Sequence, residues 1–238
     1  MANPEILELY DFLSAPSLPS QPEAAVVFGR ADPLVAHALG DLIIPSLVTT
    51  AVITGGVGKD SGDIIKQGFT SEAHYLHVQL EKDAHNRNYT TPTVLLEPRA
   101  TNGGENARFS LAMLTEAGVT TTSLTTVAHA PSARRLSETL QHEGRKINGA
   151  EQTVHVKPTD YPFDPKNPSD REEALAEFAR LIEWPAKGWL GEQNLPPNLV
   201  DYVIDQGTKT PRQPSPFAGA ILRLIPPGPR VWLLDKLK

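Results

Sequence analysis

Five short runs of apolar and β-branched residues recur along this chain, and between most of them lie stretches with helical spacing. The runs are Ala24 to Phe28, Ala51 to Thr54, Thr93 to Leu96, Leu124 to Ala128 and Thr153 to Val156. They lack period-2 alternation over most of their length, as expected of strands buried on both faces. Asp32-Pro33 places a capping side chain before a proline at the first helical position, and Leu34, Ala38 and Leu42 follow before Pro45. Ser71 to Leu80 and Asn106 to Ala117 have the same texture, with Gly118 as a stop. Such alternation predicts an α/β fold, a doubly wound parallel sheet of about five strands with right-handed crossovers.

Beyond Val156 the pattern breaks. Pro158, Pro162, Pro165 and Pro168 interrupt a polar stretch that cannot be an interior strand or helix. The predicted organisation is an α/β ligand-binding domain over 1–156, a proline-rich linker or excursion over 157–169, and a helical C-terminal subdomain over 170–238 packed on the sheet domain. Ser169 and Glu172 have capping-box spacing ahead of a helix running to about Ile182, and Trp184-Pro185 ends it. Pro196-Pro197 and Pro226-Pro227 punctuate the remainder.

Composition narrows the functional classes. A net charge of −6 argues against a general nucleic-acid or anionic-membrane binder, so any basic site is local. With no cysteine, disulfides and thiolate metal sites are excluded. The stretch Met1 to Leu13 carries Glu5, Glu8 and Asp11 but no lysine or arginine, unlike a signal peptide. No apolar run approaches the roughly 20 residues of a membrane span. A cytoplasmic protein is expected, with a small-molecule partner.

Open parallel sheets bind ligands outside the carboxyl ends of their strands, where strand order reverses. The residues following each predicted strand are therefore the candidates: Gly29, Arg30 and Asp32 after the first, Gly55, Gly56, Gly58 and Lys59 after the second, Glu97 to Asn106 after the third, and His129 to Arg135 after the fourth. Glycines admit close backbone approach, helix N-termini favour anions, and Arg30, Lys59, Arg99, Arg134 and Arg135 add cations. An anionic group on the ligand follows. Gly56 is expected to meet that ligand backbone-first, so a valine there should weaken binding more than stability. Each feature has a structural reading beside it: the glycines as turns, Asn102 with Glu105 as a capping box, Glu72 as an acid favoured at a helix start, and the arginines as solvated surface.

Several stronger motifs are absent. Gly58-Lys59 fails as a P-loop, because the first glycine would fall on Ile53 and the hydroxyl on Asp60. Gly29 alone follows the first strand, so there is no G-x-G-x-x-G fingerprint. His74, His77 and His85 have no partner cluster, and no metal site is expected. A G-x-S-x-G elbow is also missing.

Ala100-Thr101-Asn102-Gly103-Gly104-Glu105-Asn106-Ala107-Arg108-Phe109-Ser110 resembles the signature of the ElyC/SanA/YdcF family, most closely its soluble YdcF-like branch. Val26 to Gly29, Ile53 to Gly58, Ser71-Glu72-Ala73, Leu96-Glu97 and Arg134-Arg135 are similar to its other segments, in order. The likeness spans about residues 24 to 145. Many relatives carry a histidine three positions before the arginine matching Arg134; here Pro131 stands there, as expected of the YdcF branch.

The resemblance implies a Rossmann-like fold with a small-molecule pocket at the glycine loops, and S-adenosylmethionine as ligand. Gly29, Arg30, Gly55, Gly56, Gly58, Ala100, Asn102, Asn106, Arg134 and Arg135 would then bind it. Glu72 and Glu97 would recognise its ribose or amine, or act as acid and base. The expected function is an S-adenosylmethionine-dependent transferase. Phosphoryl or pyrophosphate chemistry and a non-catalytic nucleotide-type sensor are the alternatives.

Overall fold

The computed structural model describes residues 4–17, 22–58, 61–149 and 152–209. The chain divides into two compact units, one of Phe12–Phe163 and one of Met1–Asp11 with Asp164–Lys238.

The first unit is built on strands β1 (Ala24–Phe28), β2 (Thr50–Thr54), β3 (Thr93–Glu97), β4 (Ser123–Ala128) and β5 (Thr153–Pro158). All pair in parallel, in the order β3-β2-β1-β4-β5. Helices α2 (Pro33–Ile43), α3 (Gly62–Lys66), α4 (Glu72–Arg87), α5 (Gly103–Glu116) and α6 (Ala130–Asn148) lie between them, and α1 (Pro4–Ser14) straddles the division. This is the predicted doubly wound Rossmann-like sheet. Strand order reverses between β1 and β4, which are neighbours in the sheet although about 100 residues apart in the chain.

Side-chain alternation divides the core between the two faces. Ala25, Val27, Ala51, Ile53 and Val127 point to one face, against Val35, Leu39 and Leu42 of α2 and Leu76 and Leu80 of α4. Val26, Phe28, Val52, Leu124 and Ala128 point to the other, against Ala107 and Leu111 of α5 and Leu136 and Leu140 of α6. Burial of each large aliphatic side chain here stabilises the fold by about 1.5–3 kcal/mol. The expectation of burial on both faces holds for β1, but the margins β3 and β5 are only partly covered.

Local signals set the helix starts. Asp32 Oδ1 accepts from the Leu34 N–H at 2.9 Å, and Ser71 caps α4 through the His74 N–H at 3.0 Å. Asp41 of α2 receives Arg87 of α4 at 2.8 Å and Lys157 of β5 at 3.0 Å, tying three elements together.

In the second unit, α7 (Pro168–Glu183) is followed by a single 3₁₀ turn and α8 (Pro197–Lys209), so the C-terminal extension is mainly helical where described. The cap of α7 is Asn167, not Ser169: Asn167 Oδ1 accepts from the Ser169 N–H at 3.0 Å, and Pro168 takes the first helical position. Proline fits there because it lacks an N–H that would go unpaired. Trp184 and Trp189 stack edge to face with centroids 5.4 Å apart. Pro226-Pro227 lies outside the described residues. No described helix is long and apolar enough to cross a membrane.

Candidate functional site

The strand registers align Phe28 with Thr54 and Thr54 with Glu97, so the loops after β1, β2 and β3 emerge side by side. Gly55 has φ +134°, a region open to glycine and strained for other residues. Its carbonyl accepts the Ala73 N–H at 2.8 Å, and that of Gly56 accepts the Glu72 N–H at 3.0 Å. The glycine loop thus seats the first turn of α4. That turn aims the Glu72 carboxylate back at the strand ends: Oε2 lies 2.7 Å from where a Gly29 side chain would begin and 3.1 Å from the same point on Gly55. Ser61 Oγ donates to Glu72 Oε1 at 2.6 Å while accepting the Gly58 N–H at 2.7 Å.

Gly56 turns toward the protein. Its N–H donates to the Ala100 carbonyl at 2.6 Å, and a methyl group on it would stand 2.8 Å from both the Ala100 and Pro98 carbonyl oxygens. Such contacts are with backbone, which cannot swing aside. Gly56, expected to approach a ligand backbone-first, is here the joint between the loops after β2 and β3.

Glu97 is fully buried at the end of β3. Its Oε1 accepts from the Arg99 N–H at 3.0 Å and from Arg99 Nε at 3.2 Å, and its Oε2 accepts from the Ala100 N–H at 3.0 Å and Thr54 Oγ1 at 3.1 Å. Both oxygens are thus committed to holding the loop. Thr54 Oγ1 also meets Asn106 Oδ1 at 3.1 Å. A hydroxyl has one proton, so it serves Glu97 Oε2 or Asn106 Oδ1, both acceptors, one at a time. Asn102 caps α5 by accepting the Glu105 N–H at 3.0 Å, while the Glu105 carboxylate takes the Thr101 N–H and hydroxyl, both at 2.8 Å.

The two arginines opening α6 diverge. Arg134 stacks on Phe12, its guanidinium carbon 4.0 Å from the ring centroid. Burial holds its guanidinium below the usual arginine range, with Glu138 partly opposing. Arg135 is buried and reaches the start of α5, with Nη1 3.3 Å from where a Gly103 side chain would begin. Gly29, Gly55, Gly58 and Glu72 thus form one cluster. Gly56, Glu97, Ala100 and Asn106 form the adjoining joint, Asn102 and Arg135 border α5, Arg30 is exposed after β1, and Arg134 turns onto Phe12. Lys59 lies outside the described residues.

One pair went unnoticed in the sequence. Asp32, after β1, and His129, after β4, meet at 3.1 Å between Oδ2 and Nδ1 where the strand order reverses. His129 is almost fully buried and packs edge to face on Tyr161, with centroids 4.5 Å apart. Burial pushes the Asp32 carboxyl up, but hydrogen bonds from His129 and Leu34 and the charges of His129 and Arg30 outweigh it, leaving it below the usual aspartate range. The signal was the position of each residue just beyond a strand, useful only once β1 and β4 are known to be neighbours. No group of three or more potential metal ligands occurs among the described residues.

The fold and this edge define an open parallel α/β protein with a glycine-lined, acid-bearing loop cluster beside its switch point. No family model matches the chain. Across 196 residues, 81% of this chain and 84% of the relative, it is 24% identical to "Uncharacterized protein SCO4629" of Streptomyces coelicolor.

Proposed function

We propose that the chain binds a small molecule of the S-adenosylmethionine type at the carboxyl ends of β1 and β2, and transfers a group from it, on the pattern of the YdcF-like branch it resembles. The observation carrying this reading is the gathering of Gly29, Gly55, Gly58 and Glu72 at two adjacent strand ends beside the switch point, where open α/β sheets take their ligands. S-adenosylmethionine has a sulfonium, an ammonium and a carboxylate. Glu72 is an acceptor for its cationic or hydroxyl groups, and the exposed Arg30 supplies a cation for its carboxylate. Glu97, committed on both oxygens, serves this site as a scaffold. A cytoplasmic location is part of the proposal.

Phosphoryl transfer is the second reading, favoured by the exposed guanidinium groups of Arg30 and Arg99. Calorimetric titration with S-adenosylmethionine, S-adenosylhomocysteine and ATP, with and without magnesium, tests the two. Metal-independent binding of the sulfur ligands supports the first. Tight magnesium-dependent ATP binding with no response to either sulfur ligand overturns it. Binding without turnover assigns a sensor.

A further inference from the structure

Resting on the transfer reading just given, we propose that Arg99 is the anion-binding contact for the second molecule that a transfer requires, so that the acceptor carries a carboxylate or a phosphate.

An exposed arginine is ordinarily a solvated side chain that wanders among rotamers, and a lone surface ion pair does little to hold it. Arg99 is 74% exposed, yet both its backbone and its side chain are fixed. The Arg99 N–H donates to Glu97 Oε1 at 3.0 Å. The carbonyls of its two neighbours, Pro98 and Ala100, crowd Gly56, each lying 2.8 Å from where a side chain there would begin. Further out, Arg99 Nε donates to the same Glu97 oxygen at 3.2 Å, and the guanidinium carbon lies 5.2 Å from the ring centroid of Phe109 on α5. A fully buried carboxylate and a half-buried ring thus mount one exposed cation at the carboxyl end of β3. That is the sheet edge carrying the glycine cluster.

These contacts consume one of the five guanidinium N–H groups. The other four, on Nη1 and Nη2, meet no acceptor among the described residues. Such a fork matches the paired oxygens of a carboxylate or phosphate, and a fork already held in place loses less freedom on binding than a mobile one. Glu97 offsets the charge of Arg99, so recognition rests on the Nη donors and their geometry, and a lone small anion is held weakly. Arg30 follows β1 and Arg99 follows β3, with β2 and its glycine loop between them. Two cations so separated suit two anionic groups, one on the donor and one on the acceptor.

The test uses the full chain, wild type and the variants Arg99→Gln and Phe109→Leu, with thermal unfolding as a check on folding. The probes are acetate and inorganic phosphate, followed through the arginine Nε–H resonances, and S-adenosylmethionine, followed by calorimetry. The Arg99 resonance, identified by its absence from Arg99→Gln, should shift saturably in wild type, and the anion that binds more tightly names the acceptor's group. That of Arg108, an exposed arginine on α5, should drift without saturating. Phe109→Leu should weaken the anion by about two- to fivefold, while S-adenosylmethionine affinity stays within about twofold of wild type in both variants. A linear response at Arg99, or one equal to that of Arg108, overturns the proposal. A loss of about tenfold in S-adenosylmethionine affinity in Arg99→Gln gives the fork to the donor's own carboxylate and overturns the acceptor assignment. A wild type that ignores S-adenosylmethionine ends the transfer reading, whereas a saturable response at Arg99 in that same protein still supports the anion contact, so the two failures are told apart.

Discussion

The Gly56 amide and the Ala100 carbonyl, 2.6 Å apart, join the loop after β2 to the loop after β3. The approach is so close that the same oxygen would lie 2.8 Å from a methyl group on Gly56. Gly56→Ala should therefore destabilise the protein by about 1–3 kcal/mol, in the range of overpacked sites. Gly56→Val should cost more. Urea denaturation of both variants checks this, and an alanine variant as stable as wild type would contradict the joint.

Removing the carboxylate beneath that joint has a larger effect. Glu97→Ala strips acceptors from the Arg99 and Ala100 N–H groups and the Thr54 hydroxyl in a buried setting. Each stranded donor costs about 1–3 kcal/mol, so a loss of about 3 kcal/mol or more is expected. Glu97→Gln turns an NH₂ toward donors and should also destabilise. Chemical denaturation measures both, and a folded Glu97→Gln of wild-type stability would return this residue to the list of candidate acids.

At the start of α7, Asn167→Ala should cost about 0.5–2 kcal/mol by removing the cap on the Ser169 N–H. Ser169→Ala should fall within about 0.5 kcal/mol of wild type, as exposed surface changes do. Parallel urea titrations of the two variants decide between the residues, since a box built on Ser169 would reverse the order.

Stability should fall in two stages as the solution is acidified. Burial lowers the His155 imidazole below its ordinary value of 6.5, so its neutral form is favoured in the folded chain. That contribution is complete above pH 6.5 and is lost as pH falls toward the folded value. For Asp32 and Asp41, burial raises the carboxyl, but the hydrogen bonds from His129 and Leu34, and from Lys157 and Arg87, hold both below the ordinary 3.8. Their contribution is present above pH 3.8 and is lost as pH falls through the depressed values. Unfolding free energies from pH 8 to pH 3 should show both limbs, the upper one vanishing in His155→Gln and the lower one shrinking in Asp32→Asn.

The strands were legible because buried β-branched runs are hard to read as anything else, and their ends fall within two residues of the observed ones. Their order was not legible, and the Asp32–His129 pair depended on it. Neighbouring helical residues point about 100° apart, so sequence could not say that Arg134 would turn onto Phe12 while Arg135 reached Gly103. Glu97 and Glu72 look alike as acids beside glycine loops. What sets Glu97 apart is the set of backbone donors around it, and loop geometry alone creates that difference. Asn167 was passed over because the Ser169–Glu172 spacing imitates a capping box two residues downstream.

The margins of the sheet are unequal. Val156 of β5 exchanges backbone hydrogen bonds with Ser17 at 2.9 and 3.0 Å, which closes that side locally, whereas β3 pairs only with β2 among the described residues. An open strand edge is a template on which foreign chains can add. Pro92 and Pro98 bracket β3, and neither can offer an N–H, so the exposed template ends after five residues. A stray strand docking there gains few hydrogen bonds, so these two prolines limit how far a foreign chain can add along this margin.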